Sequence, residues 1–405
     1  MARVAAASNT DVGPVRVAST PGPTGGGRWV ALDLLRFCAV FLMVQGHTFS
    51  TLLDPAVRAE RWYRHHLFVH GYTAPMFMFA SGLAFGFTTF RAWERNTRPG
   101  PGLNKRLRRY AWLLAIGYAL HLPGLSWQEF ATLSPSRLRA FLQVDVLQHT
   151  GISLALCQGL AFALRRPERF AAAIAALLAL VVFSAPIVWA WTGVQAWPVG
   201  LGGFVNGAED SLFPLFPWAG FTYAGILTAY FARRASRPSH ALAWPIAAAA
   251  ALALLVPIAI NHAGIAPYGR HDFWKTSPLY FSWRLGNVMG VLALLCFAEQ
   301  ALDARRSAQR PGAPDGPVLR VVRAVGQESL VVYVAHLVLL HGSVLNRGLK
   351  SHLGETLSLV QATAVALGLF ASMVWLAWAW SRLEKHPPKP KDEARGRSAP
   401  SLRAA

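Results

Sequence analysis

Apolar runs of 18 residues or more recur along this chain, separated by short polar segments. A single soluble core cannot bury so many runs of that length, and in lipid only helices or closed barrels satisfy the backbone. The sequence therefore reads as an all-α polytopic membrane protein. Charged residues make up 14% of the 405-residue chain, against roughly a quarter in soluble domains. Ten spans are expected, at about 30–53, 67–90, 109–125, 142–164, 170–191, 211–232, 241–262, 278–299, 326–346 and 356–380.

The net charge of +20 would suggest nucleic acid in a soluble protein. Here the positive-inside rule accounts for it, so no nucleic-acid partner is expected. With ten spans and the N-terminus inside, the inner segments hold 28 Lys and Arg and the outer loops hold 9. That asymmetry predicts both termini in the cytoplasm. Residues 1–28 are rich in Ala, Gly, Pro, Ser and Thr and read as a disordered tail; 382–405 form a second, basic tail. The membrane domain is 29–381. The three cysteines fall inside apolar spans, so they imply no disulfide framework.

The first span carries two polar residues, Arg36 and His47, with ten residues between them. Eleven steps of ~100° end only ~20° from three full turns, so the two share a face. They lie roughly 16 Å apart along the axis. Polar groups at such depth are costly and face a protein interior or a wet cavity. A neutral histidine suits a general base, and an arginine suits a phosphate or an anionic carrier. The bland alternative is a snorkelling arginine paired with Asp33 and a packing histidine.

Further candidates lie elsewhere. His65, His66 and His70 cluster at the external mouth of span two. No carboxylate stands at ligand spacing, so no metal is expected. His70 is expected to join His47, with His66 near the acceptor. Lys105, Arg106, Arg108 and Arg109 lie in a cytoplasmic loop at 91–110, where they serve as topology signal or as a seat for coenzyme A phosphates. Asp145 and His149 are one turn apart and form a possible pair. Arg284 and Asn287 share a face of span eight; Ser329, Tyr333 and His336 share one of span nine.

These segments resemble a family of membrane acyltransferases. The Arg36–His47 spacing and PMFMFASG (75–82) are similar to the acyltransferase-3 type. LDLLRF, APMFMFASG, VLQHTGISLAL, FPLFPWAG and GQESLVVYVAH look more like bacterial relatives of heparan-alpha-glucosaminide N-acetyltransferase. The resemblance implies transfer of an acyl group, usually acetyl, from cytoplasmic acyl-CoA to an extracytoplasmic sugar or glycan. It places His47 or one of His65, His66 and His70 at the chemistry. Phe37 stands where such families often carry Gly.

The sequence thus leads to an acyl-CoA-dependent enzyme of the bacterial inner membrane. Its catalytic residues would be His47, His70 and Arg36. Arg36 and the four basic residues of the loop would bind the donor. His66, Arg284, Asn287, Ser329, Tyr333 and His336 would bind the acceptor. The rival is a transporter using the same polar residues; against it stand the absence of an internal repeat, of Gly/Pro-broken helix pairs and of abundant acidic residues. A membrane scaffold would leave the buried arginine and histidine unexplained.

Overall fold

A computed structural model describes residues 29–207, 210–309 and 316–385. The tail expected at 1–28 lies outside these residues, as does the second tail from 386 onward; 382–385 continue the last helix. The described chain is all-α apart from a hairpin pairing Gly342–Ser343 with Asn346–Arg347. The helices that organise it are α1 (Val30–Leu52), α2 (Arg61–His70), α3 (Thr73–Arg91), α4 (Pro101–Ala119), α5 (Val146–Leu164) and α6 (Pro167–Phe183). They continue with α7 (Leu215–Ala232), α8 (Pro238–His262), α9 (Pro278–Gln309), α10 (Pro317–Gln327), α11 (Ser329–His341) and α12 (Leu359–Lys385).

Helix starts follow local chemistry. Pro101, Pro167, Pro238, Pro278 and Pro317 open their helices, where a missing N–H costs nothing. Asp145 caps α5, its carboxylate accepting from the Val146 N–H at 2.6 Å.

Every expected span falls on a helix, but the number able to cross a bilayer by length and composition is smaller than ten. Among the described residues six segments qualify: α1, α2 with α3, α5, α8, α9 and α12; the bent pair α10–α11 brings the count to seven. The other three expected spans lie on α4, α6 and α7. Four basic residues occupy the first half of α4. Only 17 residues make up α6. Most of α7 is buried among α3, α5 and α6, and its glycines, threonines and tyrosines suit close packing.

Two expectations need correction. The presumed loop at 91–110 is helical from Pro101, so its basic residues sit on one α-helix with i, i+3 and i, i+4 spacing. The ninth span is not continuous: α10 and α11 meet at a 76° bend. There Gly326 presses on α1, where a Cβ would lie 2.7 Å from the Asp33 carbonyl oxygen. The broken helix pair that the sequence lacked in Gly/Pro signals is therefore present, and its break lines a cavity, as non-helical backbone in a membrane must.

The hub is α1, which packs on α3, α9, α10, α11 and α12. Its N-terminus is held from α9. Glu299 accepts from the backbone N–H groups of Val30 (3.3 Å) and Ala31 (2.8 Å) and from the Ser239 hydroxyl at 2.6 Å. The Trp29 indole N–H in turn donates to Ser239 at 2.8 Å. The carboxylate thus satisfies two of the orphan donors of α1 and complements its dipole. Glu299→Ala is expected to lower stability by about 2–3 kcal/mol, since it strands buried donors. Thermal unfolding in detergent checks this, with Glu299→Gln showing a smaller loss.

Candidate active site

Two cavities lie end to end along α1. The first, of about 360 Å³, is lined by Arg36 of α1, Arg106 and Arg109 of α4, Ser81 and Phe85 of α3, and Gln327 and Ser329 at the bend. Arg106 is held in place by its neighbours. Its guanidinium donates to Thr89 (2.6 Å), Thr88 (3.2 Å) and Tyr110 (3.2 Å) and stands 4.6 Å over the Phe85 ring. Lys105 and Arg108 face an adjoining open cleft of about 690 Å³ with Trp112; Arg109 and Leu330 line both spaces. The four basic residues are therefore divided between two connected compartments, because they fall on different faces of a helix.

The second cavity, of about 550 Å³, is lined by His47, His70, His121, His341, Asp145 and Arg284, with Trp218. The His47 and His70 rings meet edge to face, with centroids 5.5 Å apart. Gly46 permits this approach, since any Cβ there would collide with the His70 ring. Nδ1 of His70 lies 3.3 Å from the Leu42 carbonyl oxygen. That acceptor fixes the ring hydrogen of neutral His70 on Nδ1. Arg284 stacks 4.5 Å over Tyr280 and 5.4 Å over Trp218, a geometry suited to a planar guanidinium.

The two cavities share a thin wall. Phe77, Val146 and Tyr333 line both. Tyr333 and Asp145 both line the second cavity. One layer of side chains separates the arginine chamber from the histidine chamber.

The remaining candidates are distributed unevenly. His66 stacks behind His70 with centroids 6.0 Å apart and lies 3.4 Å from the Gln45 amide. His65 is exposed and bonds within its own helix to the Arg61 carbonyl. Asn287 lines a separate apolar cavity and donates to the Trp283 carbonyl at 2.8 Å, so it does not join Arg284. Ser329 belongs to the arginine chamber, Tyr333 to the wall, and His336 sits behind His47. Asp145 and His149 do not pair: His149 bonds the Phe213 carbonyl at 2.9 Å and Ser153 at 3.3 Å. His121 and His341 were not singled out in the sequence. They come from helix ends that only packing brings together. Among the described residues no group of three or more His, Cys, Asp or Glu could hold a metal ion.

The family model for the catalytic part of heparan-alpha-glucosaminide N-acetyltransferase matches residues 28–262, more than half of the chain. The chain belongs to this family. A second model, the OpgC protein family, matches residues 146–385. Together the two matches span every helix that lines the chambers. No curated protein matches the chain. Membership of the heparan-alpha-glucosaminide N-acetyltransferase family, with several helices long and apolar enough to cross a bilayer, makes this a multi-pass membrane acyltransferase.

Proposed function

We propose that the protein moves an acyl group, most simply acetyl, from cytoplasmic acyl-CoA to a hydroxyl or amine of an extracytoplasmic sugar or glycan. The observation that carries this reading is the pair of opposed chambers, one rich in arginine and one in histidine, divided only by Phe77, Val146 and Tyr333. A donor with several phosphates and a long flexible arm fits the first side. Lys105, Arg108 and Arg109 would face its phosphates in the open cleft, and the arm would follow Arg109 and Leu330 into the chamber of Arg36 and Arg106. Counted over the ten expected spans, the 28-to-9 bias of basic residues supports placing that side in the cytoplasm of a bacterial inner membrane.

The acceptor would enter the histidine chamber, where Arg284 and Trp218 offer a cation and an aromatic face. The thioester end of the arm would pass the Phe77, Val146 and Tyr333 layer into this chamber, and His47 would take the proton of the acceptor hydroxyl or amine as that atom attacks the thioester carbonyl. The C–S bond then breaks, and the departing thiolate takes up the proton. His70 stands close enough to share the acceptor. The net products are acylated acceptor and free CoA thiol.

The test is acetyl-CoA turnover by the full chain in liposomes. Purified protein should release CoA thiol when given an acceptor, and Arg109→Ala should raise KM for acetyl-CoA by about 10-fold or more, the worth of one hydrogen bond to a charged group, with a smaller change in kcat. A protein that neither binds nor consumes acyl-CoA would sink this reading. Transport would then be the function to test, and the 76° break in α10–α11 would be the place to look for the substrate path.

A further inference from the structure

We infer that His336 is a positioning residue that sets the tautomer of His47, through a hydrogen-bond chain running from the Val332 carbonyl to the histidine chamber. Its consequence for catalysis rests on the acyl-transfer reading above; its geometry does not.

The chain begins at a group that can only accept. Nδ1 of His336 lies 3.1 Å from the Val332 carbonyl oxygen, one turn back on α11. A carbonyl offers no hydrogen, so Nδ1 of His336 must carry one. With the ring neutral, its Nε2 is then a bare acceptor. That Nε2 lies 2.9 Å from Nδ1 of His47. Two bare nitrogens cannot bond, so Nδ1 of His47 is the donor. Neutral His47 has one ring hydrogen and has used it, which leaves a lone pair on Nε2. The ring planes differ by 11° with centroids 5.2 Å apart, as expected of rings joined edge to edge in one plane.

The surroundings fit this direction. His47 lines the histidine chamber and His336 does not; His336 is fully buried behind it. The nitrogen of His47 not engaged by His336 is thus the one left for the chamber. A base needs its lone pair there, and the opposite tautomer would present an N–H. The same logic makes the backbone carbonyl, not a carboxylate, the origin of the orientation. Sequence spacing placed His336 on a face with Ser329 and Tyr333, and nothing in that spacing says that it meets α1.

The test is nitrogen-15 spectroscopy of the full chain in nanodiscs with labelled histidine, the His47 signals being those lost in His47→Asn. The expected wild-type spectrum shows His47 protonated at Nδ1, and this needs no variant of His336 to fold. His336→Leu, which removes the acceptor, should populate the Nε2–H form and lower kcat about 100-fold, with KM for acetyl-CoA within about twofold. His336→Gln restores an acceptor oxygen and should recover kcat to within about 10-fold of wild type. A merely structural role would shift thermal stability and leave tautomer and the Leu-to-Gln difference unmoved. Wild-type His47 protonated at Nε2, or a Leu variant with unchanged tautomer and kcat, overturns the inference. A tautomer that responds as described in a protein that turns over no acyl-CoA upholds the relay and overturns the acyl-transfer reading instead.

Discussion

His47→Ala is expected to lower kcat for acetyl transfer by about 10²- to 10⁴-fold, the usual worth of a positioned general base. KM for acetyl-CoA should barely move. The reason is distance: the donor side is centred on Arg36, roughly 16 Å along α1 from His47, and the dividing wall stands between. The split is the informative part. Arg109→Ala should act mainly on KM and His47→Ala mainly on kcat, and the double variant should show both effects combined, as distant sites do. His70→Ala serves as the internal comparison, because its ring faces the same chamber at 5.5 Å from His47. Were His47→Ala to keep wild-type kcat while His70→Ala lost it, the base would be His70, held in its own tautomer by the Leu42 carbonyl. Thermal unfolding of each variant separates loss of chemistry from loss of fold.

The sequence made the ends of this site legible and left its middle obscure. Arg36 and His47 share a helix, so the 3.6-residue period alone relates them, and the structure puts one in each chamber. His70 was placed at the external mouth of the second span, and it reaches His47 only because Gly46 leaves room. The wall was not visible in advance. Phe77 and Val146 are ordinary apolar residues by pattern, and their position follows from how α3 and α5 meet around Tyr333. Periodicity states which residues of one helix face the same way, never which helix they will meet. That is why Ser329, Tyr333 and His336, read as one face, divide among a chamber, a wall and a second layer. It is also why Asp145 lines a cavity with Tyr333 of a distant helix while His149, one turn away, bonds the Phe213 carbonyl instead. The span count illustrates the converse limit of hydropathy. It scores composition, and α7 carries the glycines, threonines and tyrosines that close packing favours and that lower its hydropathy.

Gly82→Leu is expected to cost about 3 kcal/mol or more, at the upper end for overpacked sites, and to disrupt both chambers together. The α3–α7 crossing is built from two reciprocal contacts. A Cβ on Gly82 would fall on the Thr222 carbonyl oxygen, and a Cβ on Gly225 would fall on that of Phe79. The obstruction in each case is backbone, which cannot swing aside as a side-chain tip can. Phe79 and Gly82 are three residues apart on α3, as are Thr222 and Gly225 on α7, so each helix offers its neighbour one glycine and one carbonyl. Close approach of small residues supplies the packing that lipid cannot drive by exclusion from water. The same stretch of α3 carries Phe77, Ser81 and Phe85 into the cavities, so spreading the helices displaces the wall as well. Gly290→Leu on α9 is the matched control, with nothing within 4 Å of its added Cβ; it should stay within about 1 kcal/mol of wild type or gain slightly from helix propensity. Melting curves in detergent compare the two directly. Equal midpoints for Gly82→Leu and Gly290→Leu would mean that the crossing does not hold the bundle together, and the chambers would have to owe their separation to α1 and its contacts alone.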